Sequence, residues 1–337
     1  MKKTFFACLA CLYAFALSAQ ADQLLSDPSV SWVAEAEFDI ALDVTGFFDP
    51  NQTGLQAPML LKATASDPAQ LYSEPTSLGA ILLAQANTPG QAVFADAALQ
   101  QKLDVDGILE KLSRTDTIMV FSVETYEGEQ RIIHRDLTPK DFKGFRVRQL
   151  VYYREKTAEF GLLTLAIGPV LKEGNVPFWL PVAPPAAPYP SVSDPAVNWA
   201  YRVGVQNREV LLGDLKPLKQ PARPVMQMFM QRVIEDPTTD IFSAKNWAYP
   251  AQADDRSNLY SSTDTIVTFD PETYEEHVRI ARMEIGADYL RLGLVQDWYW
   301  DDRRKRLVTR LVAACPIVHV PDAQGNFMFA RPIFFRK

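Results

Sequence analysis

The side chains best suited to proton transfer or nucleophilic attack in this chain are three histidines and one cysteine. The histidines are His134, His277 and His319, and Cys315 is the cysteine that lies outside the N-terminal apolar run. Histidine acts as a general base near neutral pH, and cysteine acts as a nucleophile when its thiolate is exposed in an electropositive setting. Because Cys315 ends a predicted buried strand and precedes a proline, we expect an inert core thiol.

An internal repeat tests whether any histidine carries chemistry that the fold needs. Thr115–Ile118 recurs as Thr263–Ile266, and Glu124–Glu127 recurs as Glu272–Glu275, both at an offset of 148 residues. After a slip of one residue, five further residues recur, namely Asp141, Gln149, Tyr152, Ala166 and Pro169 as Asp288, Gln296, Tyr299, Ala313 and Pro316. The sequence is therefore predicted to be a tandem of two related modules. No histidine recurs at these offsets, so we predict no histidine catalysis.

Other patterns with catalytic potential are equally sparse. Adjacent carboxylates occur at Asp254-Asp255 and Asp301-Asp302, but neighbouring acids in turns are usually only solvated. Zinc-ligand spacings, a glycine-rich phosphate loop and a nucleophile elbow are absent from the sequence. We therefore predict a protein that is not an enzyme and has no catalytic, cofactor-binding or metal-binding residues.

A run of four basic residues, Arg303–Arg306, follows the second acidic pair. One interpretation is a charged hairpin tip that discourages edge-to-edge strand pairing. The other is a docking patch for an acidic partner surface, where charge sets orientation and association rate.

The N-terminus and the composition indicate export. Residues 1–21 combine Lys2 and Lys3 with an apolar run and a small-residue cleavage pattern, which predicts a signal peptide. The net charge of −7 becomes more negative without these lysines, which argues against nucleic-acid binding. Removal of the signal peptide would leave Cys315 as the one remaining thiol, so no intramolecular disulfide is expected.

A proline-rich segment predicts the domain boundary. Residues 183–196 contain five prolines, which favours an extended spacer able to hold two modules apart. We predict a first module over residues 22–182, a linker over residues 183–196 and a second module over residues 197–337.

Each module has the pattern of an α+β fold with an antiparallel meander. Amphipathic helices are predicted around Leu78–Gln85 and Val225–Val233, and also at Leu99–Leu112 in the first module. Alternation predicts strand hairpins around Phe145–Ile167 and Leu290–Ala314, followed by a closing aromatic strand in each module.

Trp298, Tyr299 and Trp300 are consecutive, so strand alternation places Tyr299 on the face opposite both tryptophans. The covering element can be a helix of the same module or a neighbouring subunit, since tryptophan and arginine are enriched at interfaces. The pattern alone leaves both alternatives open.

Laid side by side, these motifs resemble the GldN/PorN family of gliding-motility and type IX secretion proteins. Arg135–Asp141 is similar to an Arg-x-Asp-Leu-Thr-x-x-Asp segment of that family, and Trp298–Asp301 is similar to its Trp-Tyr-Phe-Asp strand end. Cys315-Pro316 stands where the family has a Leu-Cys-Pro ending, and Arg208–Leu211 resembles its Arg-Asp-Val-Leu opening. Family members carry one such module and a charged C-terminal tail, whereas this sequence has two modules and ends at Lys337.

The resemblance implies a periplasmic, non-enzymatic structural subunit that is held at the outer membrane by a partner. The implied partners are a lipoprotein of GldK/PorK type, with which the family forms a ring, and an inner-membrane component of GldM/PorM type. The candidate partner-contact residues are Arg208, Glu209, Trp298, Trp300, Arg303, Arg304, Lys305 and Arg306. The alternative function is a secreted envelope or glycan-binding module that uses aromatic strand faces as stacking platforms.

Overall fold

The computed structural model describes the following parts of the chain. The described residues are 20–41, 59–62, 76–121, 128–182, 191, 193–210, 216–221, 223–236, 238–239, 241–243, 261–269, 273–284, 290–321, 327–332 and 334–336. Within them, no helix combines the length and the apolar character needed to cross a membrane.

The first sheet is antiparallel and has five strands. From one edge to the other it contains β7 (Leu180–Pro181), β6 (Glu159–Leu171), β5 (Phe142–Arg154), β1 (Trp32–Ala41) and β9 (Lys216–Lys219). The two longest strands, β5 and β6, form a hairpin whose register shifts between Arg148 and Gln149. This shift increases the local twist and redirects the side chains that follow.

The second sheet has seven strands. Six follow one path, in the order β10 (Ile241–Ser243), β16 (Phe334–Arg336), β14 (Arg306–Pro321), β13 (Leu290–Asp301), β8 (Val197–Val210) and β2 (Met59–Lys62). The seventh, β15 (Phe327–Pro332), pairs with β14 beside this path. The central hairpin β13–β14 has a register shift between Val295 and Gln296.

One short strand from each half of the chain joins the sheet of the other half. Strand β2 pairs with β8, with Leu60 opposite Tyr201, and β9 pairs with β1, with Pro217 opposite Ala34. The proline-rich segment therefore does not separate two independent sheets. The exchanged strands connect the two halves of the chain by backbone pairing.

A common apolar core lies between the two sheets. Even-numbered residues of β1, odd-numbered residues of β5 and even-numbered residues of β13 point into it, including Phe38, Phe145 and Trp298. Trp32, Tyr153, Phe160 and Phe229 form an aromatic cluster with ring centroids 4.8–6.3 Å apart. One face of each sheet is buried in this common core. The two halves of the chain therefore share a core.

Helices close the core at its ends. The helices are α1 (Thr76–Ala86), α2 (Val105–Leu112) and α3 (Val225–Glu235), and a 3-10 turn covers Pro139–Asp141. Leu78 and Leu82 of α1 and Met226 and Phe229 of α3 are buried in the core. The coarse prediction of helices combined with antiparallel strands is confirmed.

The predicted helix over Leu99–Leu112 is wrong in its first half, because α2 begins only at Val105. Leu99 has a φ of 60°, and the Asp96 carboxylate accepts hydrogen bonds from the backbone of Gln100 and Gln101, which fixes a turn. Asp104 then caps the helix by accepting a hydrogen bond from the Gly107 N–H at 2.8 Å.

Two antiparallel ribbons complete the structure, each formed by a pair of strands that joins neither sheet. The first ribbon consists of β3 (Ser113–Phe121) and β4 (Gly128–Asp136), and the second of β11 (Ser261–Phe269) and β12 (Glu276–Glu284). These strands are not predicted from the sequence, because their residues show little apolar alternation.

Candidate functional site

The side chains that could support catalysis do not converge in the described part of the chain. His134 is exposed on β4, and its Nδ1 atom lies 3.0 Å from the Thr115 hydroxyl. Cys315 is buried, and burial raises the pKa of its thiol, so the thiolate needed for nucleophilic attack is disfavoured. The side chains of His277 and His319 lie outside the described residues. Among the described side chains, no cluster of three or more His, Cys, Asp or Glu could hold a metal ion.

The acidic pair Asp301-Asp302 shapes the β13–β14 turn. Asp301 accepts hydrogen bonds from the backbone N–H of Arg304 at 3.1 Å and from its Nη1 at 3.0 Å. Burial raises the pKa of the Asp301 carboxyl, but these hydrogen bonds outweigh burial and hold it below its usual value. Asp302 pairs with Lys305 at 2.7 Å. Both acids therefore have a structural use in the turn.

The predicted basic patch is only partly available to a partner. Arg304 and Lys305 are exposed, but each is engaged with an acid of the same turn. Arg306 is half-buried, and its buried Nε atom has no hydrogen-bond partner among the residues that the structure describes. Arg303 is exposed and has no acidic partner among the described residues. The structure thus leaves Arg303 as the basic residue of this turn most accessible to another molecule.

The two tryptophans proposed as partner contacts are core residues, which corrects that expectation. Trp298 is 1% exposed and Trp300 is 5% exposed, within the core shared with helix α3. The indole N–H of Trp298 donates to Gln296 Oε1 at 3.1 Å, so its polar atom is also satisfied inside the chain. Arg208 and Glu209 lie on β8, but their side chains are outside the described part of the chain.

A buried polar bridge joins the two sheets at the centre of the core. Gln149 Nε2 donates to Gln296 Oε1 at 2.8 Å, and Gln296 Nε2 donates to Gln149 Oε1 at 3.0 Å. Gln149 also donates to the Thr164 hydroxyl, which lies 2.7 Å from the Thr309 hydroxyl. All four residues are at most 3% exposed. Buried polar groups that are mutually satisfied fix the relative position of the elements carrying them.

An ion-pair network anchors the base of the first ribbon. Arg135 binds both oxygens of Asp141, at 2.6 and 2.8 Å, and its Nε lies 2.6 Å from Asp116. Arg114 pairs with the other oxygen of Asp116 at 2.6 Å and with Glu173 at 2.9 Å. The network links both ribbon strands to the 3-10 turn and to the loop after β6. The ribbon is thereby held in one direction relative to the sheet.

Asp141 is the hub of this network. Its Oδ2 atom also accepts hydrogen bonds from the backbone N–H and the hydroxyl of Thr138, at 2.8 and 2.9 Å. The hydrogen bond from Arg135 is the main cause that holds the pKa of Asp141 far below its usual value. These contacts explain the motif Arg135–Asp141 as a structural device, with Leu137 buried beneath it.

In the sequence Arg135 and Asp141 stand out only as part of a motif, and that motif does not predict this network. A signal was present, since Asp116 and Asp141 both recur in the second half, as Asp264 and Asp288. No sequence pattern predicts the ribbons, yet they carry most of the large exposed apolar side chains among the described residues. These are Ile118, Met119, Phe121, Ile132 and Ile133 on the first ribbon, and Val267 and Val278 on the second.

One comparison with known proteins gives a match, to a family model. Residues 61–189 match the family model described as gliding motility associated protein GldN. The matched segment includes α1, α2, the first ribbon with its ion-pair network, and strands β5, β6 and β7. No curated protein and no solved structure matches the chain. The match covers 129 of the 337 residues, all of them before residue 190.

Proposed function

We propose that this protein is a non-enzymatic structural subunit of a gliding-motility or type IX secretion complex, acting in the periplasm. The observation that carries the proposal is the family match over residues 61–189. The geometry agrees with such a role, because its prominent polar contacts, the glutamine bridge and the ion-pair network, hold elements together.

The proposal includes a tandem of two related modules, which is supported by matched strand registers. In the first ribbon Thr117 is opposite Ile132, and in the second Thr265 is opposite Ile280, an offset of 148 residues for both partners. The exchanged strands β2 and β9 are also alike, since each pairs antiparallel with the first long strand of the other half, Leu60 opposite Tyr201 and Pro217 opposite Ala34. Both central hairpins shift register at a glutamine, Gln149 or Gln296.

The partners in this proposal are a lipoprotein of GldK/PorK type and an inner-membrane component of GldM/PorM type, in a ring-like assembly. The basic turn around Arg303 is a candidate contact for an acidic surface on one of them. Arg303 is the residue of that turn whose charge is available for such a contact, because the charges of Arg304 and Lys305 are engaged by neighbouring acids.

The alternative of a glycan-binding module is less favoured by the geometry. Stacking platforms for sugars require exposed aromatic rings, but Trp32, Trp179, Trp298 and Trp300 are each at most 5% exposed. Among the described aromatic residues, those with large exposed fractions are Phe121 and Tyr274. They belong to the first ribbon and to the turn before β12, and they do not form one continuous strand face.

A genetic test separates a structural role from a catalytic one. Deletion of the gene in the native host is expected to abolish gliding or type IX export. Complementation with a double variant, His134→Ala with Cys315→Ala, should restore it whenever immunoblots show normal abundance. Failure of that abundant variant to restore export would favour a catalytic role, and unimpaired export in the deletion strain would reject the proposed function.

A further inference from the structure

The first ribbon presents an apolar face that is directed away from its anchoring network. Alternate residues of a strand point to opposite faces, so Met119 and Phe121 lie on the face opposite to Arg114 and Asp116. Ile132 shares the face of Met119, because it pairs with Thr117. The side chains of Met119, Phe121 and Ile132 are 56%, 63% and 67% exposed. Three adjacent apolar side chains at this exposure mark an interaction surface.

The second ribbon presents a corresponding face. All nine residue pairs of the first ribbon recur in the second with both partners shifted by 148 residues. Val267 stands at the position of Met119 and lies directly opposite Val278. These two valines are 44% and 58% exposed. One molecule therefore carries two surfaces of the same register and similar chemistry.

We infer that the apolar face of the first ribbon in one molecule packs on the corresponding face of the second ribbon in another molecule. The inference rests on the proposed function, because it specifies the surface through which such a subunit assembles. A two-stranded ribbon is marginally stable alone, and a second ribbon laid over it creates a four-stranded sandwich with a buried centre. At about 3.3 Å per residue, each nine-residue strand offers a contact of roughly 30 Å in length.

Charge favours a second molecule of this chain as the occupant. The first ribbon has no net charge, because its three arginines are balanced by three acids, namely Arg114, Arg131 and Arg135 with Asp116, Glu129 and Asp136. The second ribbon has a net charge of −1, from Asp264, Glu276 and Glu284 against Arg279 and Arg282. The whole chain has a net charge of −7, so two molecules repel each other little where these two weakly charged ribbons meet. The two ribbons also have the same length of nine residue pairs and the same register.

The contact between a first and a second ribbon is heterologous. Each molecule that joins leaves one ribbon free at each end of the growing assembly, so the contact propagates into a ring or a filament. An isologous contact between two first ribbons would instead stop at a dimer. This difference provides a direct test.

Site-directed cross-linking distinguishes these arrangements. Ile132→Cys and Val278→Cys are introduced together in full-length protein carrying Cys8→Ser and Cys11→Ser, and buried Cys315 gives little background. A short bismaleimide reagent should give a ladder of oligomers with the double variant and monomers with either single variant. Val105→Cys with Val278→Cys is the matched control, because Val105 is 72% exposed on α2. No ladder, a ladder of equal intensity in the control, or dimers from Ile132→Cys alone would overturn the inference.

A second measurement does not depend on cross-linking geometry. Met119→Glu with Ile132→Glu should weaken self-association in sedimentation experiments by at least about tenfold, and Val105→Glu should leave it unchanged. Equal association of both variants would reject the ribbon contact. The proposed function is tested separately. If self-association of the Met119→Glu, Ile132→Glu variant is unchanged but the variant is still recovered with the native envelope partners, the ribbon inference fails and the proposed function stands.

Discussion

The carboxamides of Gln149 and Gln296 donate hydrogen bonds to each other across the core, at 2.8 and 3.0 Å. Each glutamine belongs to the central hairpin of a different sheet and follows a shift in the register of that hairpin. The reciprocal bridge places one half of the chain against the other at a defined position. It makes the two halves a single structural unit, together with the exchange of β2 and β9.

The two glutamines of this bridge should be energetically coupled. Replacing one of them should lower the free energy of unfolding by more than half of what replacing both does. Gln149→Leu leaves a buried Gln296 carboxamide without its partner, and we expect a loss of about 1–3 kcal/mol in the free energy of unfolding. The double variant Gln149→Leu, Gln296→Leu removes both partners and should lose less than the sum of the single variants. Urea unfolding followed by circular dichroism measures this coupling. Strict additivity would contradict the bridge, and exposed Gln101→Leu serves as the control.

Asp141→Asn should loosen the first ribbon. The substitution removes the charge that Arg135 binds through two hydrogen bonds, and we expect the free energy of unfolding to fall by about 1–2 kcal/mol. This range is kept small because 37% of the Arg135 side chain is exposed and solvent screens the pair. Hydrogen exchange should become faster in Ser113–Phe121 and Gly128–Asp136. Asp136→Asn is the matched control on the same ribbon, and equal effects of the two variants would contradict the role of Asp141.

The same carboxyl gives the protein a specific acid sensitivity. The folded state lowers the pKa of Asp141 below 3.8, the value from which it departs. The unfolded chain therefore binds the proton first as the pH falls below about 4, and stability is lost progressively through that range. The wild-type protein should lose stability more steeply there than Asp141→Asn. Parallel pH profiles of thermal unfolding for the two proteins would contradict this account.

Cys315 should be unreactive in the folded protein. Burial raises the pKa of its thiol above the ordinary value of 9.0, so the neutral form is kept while the protein is folded. A thiol reagent at pH 8 should label Cys315 only in denaturant. Above pH 9 the unfolded chain loses this proton more readily than the folded chain, so stability should fall as the pH rises further. Rapid labelling of the native protein would show that the thiol is accessible.

The basic turn should separate into a structural and a surface residue. Arg304→Ala removes a hydrogen bond to Asp301, which is 2% exposed, and should lower the free energy of unfolding by about 1 kcal/mol. Arg303→Ala should change it by no more than about 0.5 kcal/mol, because its side chain is exposed. Thermal unfolding of both variants checks this order, and the reverse order would contradict the turn geometry.

Much of the central architecture could be predicted from the sequence. The strand hairpins β5–β6 and β13–β14 have strong two-residue alternation, and the helix around Phe229 has a clear apolar face. The helix around Leu78 is apolar on most of its sides. These patterns reflect burial on one side of an element, which the sequence records directly. The core position of Trp298 and Trp300 could not be decided, because alternation does not identify the element that covers a face.

The candidate surfaces were harder to predict for a physical reason. The first ribbon is exposed on both faces, so its strands have no apolar period. The network around Asp141 joins side chains of four separate elements, which a sequence pattern does not place together. The exchange of β2 and β9 was equally hidden, since strands of four residues carry little pattern. Recurrence of Asp116, Asp141 and Gln149 in the second half was the signal that marked structurally important positions.

The mass of the native complex tests the central claim of a structural assembly subunit. Affinity-tagged protein would be purified from the host envelope in mild detergent and measured by mass photometry beside an untagged control. The account predicts a large assembly that contains the lipoprotein partner and many molecules of this chain. Recovery of the protein only as a monomer or a small complex without envelope partners would contradict the account.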